Sequence, residues 1–474
     1  MTQTLIEKAE RHFQAGQLEA AKQTYLEALK HNAQNAFAYL GLGKIAFQLA
    51  DYDRAITLLS QACQLSPYPQ DALILLANSF NAVSSPADAL TSLNYAMKQY
   101  PQSKTVLSAL IQQHIRMGNV PSAESLLEQQ IASDDALFSA YGWLDRVRVW
   151  HKPLSDSQWQ QLRQLSEQSS GRVKMLIDYA LGQAYDRVGD FQRAANHLRQ
   201  ANAFQLSLCD FATKQLAPFY RSIAEHFPAG TNTSKNTENE TITPVFIVGL
   251  PRTGSTLLEQ MLARHSQIDT VGEQPFLSNV CVPLLEKASQ NRFPACLSEA
   301  AQLDRDKVAA HYINYLSKHS SAKYVINKLP ANVQNVGLIF ALFANAKVII
   351  LNRSMKDVSL SVFKNYFAHN EPYFCDLAQF AEFADYTEEL TNHWRSQFSG
   401  QLIDIHYEAL VSSPQEQLIA VMDYLGTSME SQCLDQHRTA AVVDTLSAIQ
   451  VRKPISQSSV GRWRDYADIL FKPN

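Results

Sequence analysis

Apolar residues up to about residue 228 recur at the three- and four-residue spacing of helices that bury one face. From residue 244 the pattern changes. Short, β-rich apolar runs, PVFIVG (244–249), KYVIN (323–327), AKVIIL (346–351) and LIDIH (402–406), stand between helical stretches. Unbroken runs of this kind fit strands buried on both faces, and their alternation with helices predicts a parallel sheet in an α/β sandwich. Between the halves, AGTNTSKNTENETIT (229–243) is polar and aperiodic and reads as a connector. The expected organisation is therefore an all-α region over 1–228, a linker over 229–243 and an α/β domain over 244–474.

The helical half repeats itself. Ala21, Ala55, Ala89 and Ala123 are each 34 residues apart, and Tyr25, Leu59, Leu93 and Leu127 follow four residues later in every copy. Ala28, Ala62 and Ala96 come three after those, Pro67 and Pro101 close the second and third copies, and Gly16 and Gly118 mark turns. Small residues let two helices approach, the bulky residue one turn on fills the gap, and proline ends the second helix. This pattern resembles the tetratricopeptide repeat. Four copies cover about 2–136, and a further one runs from Tyr179 to Ala201 with Gly182, Ala194 and Leu198 in matching places. Residues 137–178 are helical in pattern but degenerate. Stacks of this kind offer a groove for a peptide or partner protein; the plainer alternatives are a brace for the neighbouring domain or a homodimer contact. His12, His31 and His114 are isolated in this half and point to no chemistry.

Composition narrows the field. The chain has 474 residues, 46% apolar and 18% charged, with 41 Lys and Arg against 45 Asp and Glu. A net charge of −4 argues against wholesale nucleic-acid binding but leaves room for a local anion site. No apolar run approaches the ~20 residues of a membrane span, and no secretory signal pattern is visible at the N-terminus. Cys63, Cys209, Cys281, Cys296, Cys375 and Cys433 are scattered without a CxxC pair. That spacing fits reduced thiols better than a disulfide framework or a zinc site, so a cytoplasmic protein without a metal is expected.

Ligands of open parallel sheets sit at the carboxyl ends of the strands. After the first run come Gly249-Leu-Pro-Arg252-Thr253-Gly254-Ser255-Thr256 and an apolar helix. A glycine-containing turn at a helix N-terminus presents free N–H groups, and Arg252 with three hydroxyls makes it a nest for a phosphate-like anion. The outline is that of a Walker A loop, but Ser255 stands where its lysine belongs.

The run VFIVGLPRTGSTLLEQML is similar to the 5′-phosphosulfate-binding loop of sulfotransferases, which use 3′-phosphoadenosine 5′-phosphosulfate (PAPS). Its P-R-[ST]-G-[ST]-T form looks most like the tyrosylprotein-sulfotransferase branch and its bacterial relatives, several of which join tetratricopeptide repeats to this domain. The resemblance implies a P-loop-like α/β sulfotransferase domain behind an all-α repeat solenoid. It also implies that Arg252, Thr253, Gly254, Ser255 and Thr256 hold the donor's phosphosulfate. Arg353 after AKVIIL and Ser361 on the following helix match the family's 3′-phosphate pair; the plain alternative is a surface pair between Arg353 and Asp357. The basic segment VRKPISQSSVGRWRDY (451–466) resembles the loop that closes over the nucleotide, with Ser458, Ser459 and Arg462 as contacts and Trp463 either on the adenine or in a core. Ser447 resembles a serine near the transferring sulfate.

Chemistry needs a base for the acceptor hydroxyl and a cation at the leaving oxygen. Aligned without a gap, Glu273 in VGEQPF takes the place of the family's catalytic glutamate; a one-residue gap would put Gln274 there, which cannot act as a base. Lys328 in VINKLP matches the lysine at the leaving oxygen, and His406-Tyr407-Glu408 echoes a structural Tyr-Glu element. The resemblance thus implies transfer of a sulfuryl group from PAPS to an acceptor hydroxyl. The acceptor would be a protein or peptide tyrosine brought by the repeat groove, or a small hydroxylated molecule. The rival reading is a non-catalytic repeat scaffold with a degenerate nucleotide domain; a kinase or ATPase is opposed by the missing Walker lysine.

Overall fold

A computed structural model describes residues 1–227, 242–302, 305–368, 371–438, 443, 445 and 447–471. The expected linker lies, except at its last two residues, outside the described residues. The chain divides into two compact units. One comprises Met1–Asn119 with Gln274–Pro283 and Ala440–Asp444; the other comprises Val120–Glu273, Leu284–Thr439 and Thr445–Asn474. The division therefore falls inside the helical half rather than at residue 228.

The first unit consists mainly of antiparallel helix pairs: α1 (Thr2–Gln14) with α2 (Leu18–His31), α3 (Ala36–Gln48) with α4 (Tyr52–Leu65), α5 (Gln70–Ala82) with α6 (Pro86–Gln99), and then α7 (Lys104–Met117). The repeating alanines and their bulky partners are its core: Ala21, Ala55 and Ala89 are fully buried, and so are Tyr25 and Leu59. Gly16 and Gly118 turn the chain with φ of +71° and +74°, a region open to glycine at little cost. Later segments of the chain join this unit, with the Tyr52 hydroxyl donating to Gln274 Oε1 (2.7 Å) and Val443 N to Arg116 O (3.3 Å).

In the second unit, α8 (Val120–Ile131), α9 (Ala136–Val149), α10 (Asp156–Gln168), α11 (Gly171–Arg187), α12 (Phe191–Leu206) and α13 (Ala217–His226) continue the helical array. The degenerate stretch 137–178 is thus α9, α10 and the start of α11. The fifth repeat is the α11–α12 pair. A Cβ on Gly182 would lie 2.6 Å from Leu198 Cγ and 3.3 Å from Ala194 O, so only glycine lets these helices close. The apolar core of α9–α12 is completed by Leu360, Phe363 and Tyr466 from the α/β region, so one core serves both.

The α/β region opens with β1 (Thr243–Gly249), α14 (Ser255–Leu262) and β2 (Ile268–Thr270), followed by α15 (Val282–Ser289), α16 (Arg305–His319), β3 (Tyr324–Lys328) and α17 (Val336–Leu342). It continues through β4 (Lys347–Asn352), α18 (Met355–Phe363), α19 (Pro372–Cys375), α20 (Leu377–Gln397), β5 (Leu402–His406), α21 (Tyr407–Ser412) and α22 (Pro414–Leu425). All strand pairs are parallel, in the order β2-β3-β1-β4-β5. The strand order changes sides at β1: β2 and β3 lie to one side, β4 and β5 to the other. The crevice between the carboxyl ends of β1 and β4 is the position where such sheets bind ligands. Among the described residues, no helix is long and apolar enough to cross a membrane.

Gly182→Val should lower the unfolding free energy by about 1–3 kcal/mol through overpacking, seen as a lower urea midpoint at unchanged slope.

Candidate anion-binding and catalytic site

The loop after β1 is held in a conformation that needs two special residues. Gly249 has φ +139°, and a Cβ there would lie 2.9 Å from the Leu351 carbonyl of β4. Gly254, at φ +100°, caps α14, and a Cβ on it would run into the Tyr407 ring. Between them Arg252 is left-handed at φ +65°, a conformation that costs a non-glycine residue about 1 kcal/mol or more and persists only when its surroundings fix it. They do: Arg252 Nε donates to Ser361 Oγ (3.1 Å), a terminal nitrogen donates to Ser447 Oγ (2.8 Å), and its carbonyl accepts from Arg353 (2.9 Å). Buried Thr253 closes the loop on Leu250 O (3.0 Å), and the Thr256 hydroxyl meets that of Thr445 (3.3 Å).

Arg353, just past β4, also donates to Ser459 O (2.7 Å) and lies 4.4 Å over the Tyr407 ring. Its Nε is buried without a hydrogen-bond partner, a costly state unless something else satisfies it. Burial lowers the Arg252 pKa to about 10, and the positive charges of Arg353 and Arg148 push in the same direction. Around these groups lies a cleft of about 380 Å³, lined among others by Arg252, Gly254, Arg353, Ser361, Ser459 and Arg462. The 451–466 segment reaches it because buried Asp357 accepts the backbone N–H of Gly461 (2.7 Å) and of Trp463 (2.9 Å). Arg353 and Asp357 are therefore not paired. Trp463 does not line the cleft; its ring packs on the helical core, with Lys356 4.2 Å and Arg464 5.2 Å from its centroid.

Glu273 and Lys328 form a second cluster, outside the cleft lining. The chain after β2 continues its ladder with β3 through Val271 N to Ile326 O (2.9 Å) and Lys328 N to Gly272 O (3.0 Å). That pairing sets Glu273 beside Lys328, whose ammonium contacts Glu273 Oε1 and lies 3.7 Å from Glu259 Oε2 of α14. Lys328 is fully buried, whereas the Glu273 side chain is 40% exposed. Gln274, the alternative to Glu273 in the sequence, turns instead to Tyr52. Glu259 is buried, and its burial raises its pKa more than Lys328 and the Thr270 hydroxyl (2.6 Å) lower it.

Of the residues singled out in the sequence, Arg252, Gly254, Arg353, Ser361, Ser459 and Arg462 thus share one cleft. Thr253, Ser255 and Thr256 sit in the adjoining loop and helix start, buried, and Glu273 with Lys328 form the neighbouring pair. Three participants were missed. Tyr407, read as structural, hydrogen-bonds the Ser459 hydroxyl (2.6 Å) and lines the cleft. Glu259 looked like an ordinary polar position of an amphipathic helix. Lys364 lines the cleft, and its spacing three residues after Ser361 was the signal available. Among the described residues, no group of three or more His, Cys, Asp or Glu side chains is arranged to hold a metal ion.

A parallel sheet with a glycine-containing strand–turn–helix at its switch point defines a P-loop-like α/β domain. Residues 244–431 match the sulfotransferase family and residues 6–72 the tetratricopeptide repeat, so the chain carries a sulfotransferase domain behind a repeat region. An uncharacterized protein of Aquifex aeolicus (strain VF5) is 26% identical over 442 residues, 90% of this chain and 57% of that one. Protein-tyrosine sulfotransferase 2 of Gallus gallus is 23% identical over 231 residues, 46% of this chain and 62% of that one. The match thus spans about three fifths of the length of each of these curated relatives. Among solved structures, the sulfotransferase domain of the Synechococcus PCC 7002 olefin synthase is similar at 20% identity and a TM-score of 0.35, over 49% of this chain and 91% of that one.

The Glu259 environment fixes the sign of one experiment. A carboxyl whose pKa rises on folding destabilises the fold at neutral pH, and the penalty is relieved as pH falls through the folded value toward ~4.3. Glu259→Gln should therefore keep or raise thermal stability at pH 7. Lys328→Met, which strands a buried carboxylate, should cost about 3–5 kcal/mol.

Proposed function

We propose that the α/β domain transfers a sulfuryl group from PAPS to an acceptor hydroxyl. The carrying observation is the cleft: an Arg252 whose pKa is lowered by burial and, after it, by the charges of Arg353 and Arg148, and an Arg353 Nε that is buried and unsatisfied. A polyanion would relieve both. Gly254, which the Tyr407 ring leaves no room to replace, sets the start of α14 at this cleft, and backbone N–H groups at a helix N-terminus suit an anion.

In this reading, loop residues 252–256 hold the 5′ end of the donor, while Arg353 and Ser361 select its 3′-phosphate. Ser459 and Arg462 close the nucleotide side. When bound, the donor supplies the sulfuryl group. Glu273 takes the proton of the acceptor hydroxyl on a carboxylate oxygen, and Lys328 offsets negative charge left on the phosphate oxygen. The half-exposed Glu273 is open to an acceptor, while Lys328 is buried, and a charge in a poorly solvated place has a larger electrostatic effect. Similarity to protein-tyrosine sulfotransferases supports a tyrosine hydroxyl in a protein or peptide as acceptor, and the repeats of the first unit are proposed to bind the protein that carries it. The unpaired cysteine pattern supports a cytoplasmic setting.

Thermal unfolding with adenosine 3′,5′-bisphosphate, with ATP or with neither tests the donor site. The bisphosphate at ~100 times its dissociation constant should add roughly 2.7 kcal/mol. A shift with ATP alone would sink the sulfotransferase reading, and no shift with either would favour the scaffold. Glu273→Ala should retain the bisphosphate shift and lose transfer from ³⁵S-labelled donor; turnover within a few-fold of wild type would rule out Glu273 as the base. Comparing tyrosine peptides with small hydroxylated metabolites as acceptors then separates the acceptor classes.

A further inference from the structure

The last repeat is wired into the donor cleft. Four side chains of α9, α11 and α12 hold the backbone that leaves α18. Asn202 donates to Phe363 O (2.8 Å), Gln183 to Lys364 O (2.9 Å), Arg148 to Tyr366 O (3.0 Å) and Gln205 to Phe367 O (2.6 Å). The final carbonyls of a helix have no partner within it, and here repeat side chains satisfy them. Segment 363–367 therefore occupies the polar face that these helices could otherwise offer to a peptide.

One carboxylate stands at the centre of this contact. Asp186, near the end of α11, has one oxygen on the Lys364 ammonium; the other accepts from the Tyr466 hydroxyl (2.6 Å) and from Arg462 (3.2 Å). Its side chain is 10% exposed. Burial acts to raise its pKa, but the charge and hydrogen bond of Lys364, the Tyr466 hydroxyl and Arg462 outweigh it and hold the pKa below the usual value. It is a carboxylate at neutral pH. Lys364 and Arg462 both line the cleft. Lys364 lies one helical turn beyond Ser361, on the same face, and an ammonium has three donors, of which Asp186 engages one.

We propose that Lys364 is a further phosphate-binding cation of the donor site, beside Ser361, and that Asp186 of the last repeat is the positioning residue that presents Lys364 and Arg462 to the cleft. This rests on the reading of the cleft as a donor-nucleotide site. The repeat region would then have two parts with different duties: α1–α7, proposed above to receive a partner, and α9–α12, built into the nucleotide site.

The test is the ratio of dissociation constants for adenosine 3′,5′-bisphosphate and adenosine 5′-monophosphate, measured by calorimetry on full-length protein. Because both ligands are titrated into the same preparation, the ratio is insensitive to the fraction of unfolded protein. Wild type should prefer the bisphosphate. Lys364→Gln should lose roughly ten-fold or more of that preference, the size of one charge-assisted contact, and Lys364→Arg should retain most of it. Asp186→Asn should also lower the preference, by about three-fold or more. An unchanged ratio in Lys364→Gln, with only a lower melting temperature, would mean that the lysine merely fastens α18 to the repeats. An unchanged or increased preference in Asp186→Asn would mean that the carboxylate competes with the phosphate instead of presenting the lysine. Failure of wild type to bind the bisphosphate would refute the donor-site reading itself and, with it, this proposal; loss confined to the variants' preference supports both.

Discussion

Burial of positive charge at the cleft is the constraint on which this domain depends. Burial lowers the Arg252 pKa and the charges of Arg353 and Arg148 add to the effect; a carboxylate placed directly on Arg252 or Arg353 would cancel the positive field there. For Arg252 and Arg353 the protein uses neutral partners instead, whereas Arg148 has the Asp145 carboxylate 3.3 Å away. Arg353 donates to the carbonyls of Arg252 and Ser459, and Arg252 donates to the hydroxyls of Ser361 and Ser447. These bonds fix the cations without neutralising them. Acidic groups act one layer back: Asp357 holds backbone N–H groups of the C-terminal segment, and Asp186 holds the outer cations, Lys364 and Arg462.

The same logic explains why half of the repeat array is not a free module. A short helix such as α18 ends in carbonyls that need donors, and the residues after it must still reach the cleft. Asn, Gln and Arg side chains of α9, α11 and α12 supply those donors, while Leu360 and Phe363 enter the repeat core. Repeat architecture suits this task because it presents rigid polar side chains at fixed intervals. The compact division accordingly falls at residue 119 and not at the change of sequence pattern.

What the sequence made legible follows from how local each signal is. The repeat period located nearly every helix of the first unit, because alanines that must be buried recur at fixed positions. Four of the five strands were visible as apolar runs; β2, three residues at the sheet edge, is too short to leave a pattern. The loop 252–256, Arg353 and Ser361 could be picked out because they follow strands directly in the chain. Glu259, Tyr407 and Asp186 could not. Each acts on a partner more than fifty residues away, Lys328, Ser459 or Lys364, and nothing in a helix of ordinary polarity announces such a partner.

Total charge misled for a related reason. From residue 244 onward the chain carries 20 basic and 23 acidic residues, yet this is the part that gathers cations at a cleft. A field inside a protein depends on which charges are close and poorly solvated, not on their sum. Lys328 shows this at its extreme. It is fully buried at the end of β3, and its Nζ lies between Glu259 behind it and Glu273 before it. An isolated ammonium in that place would tend to give up its proton. With Glu259 as the inner partner, Glu273 is the one more open to solvent. Glu259, whose own burial raises its pKa, is thus the inner carboxyl partner of a lysine buried at the carboxyl end of β3.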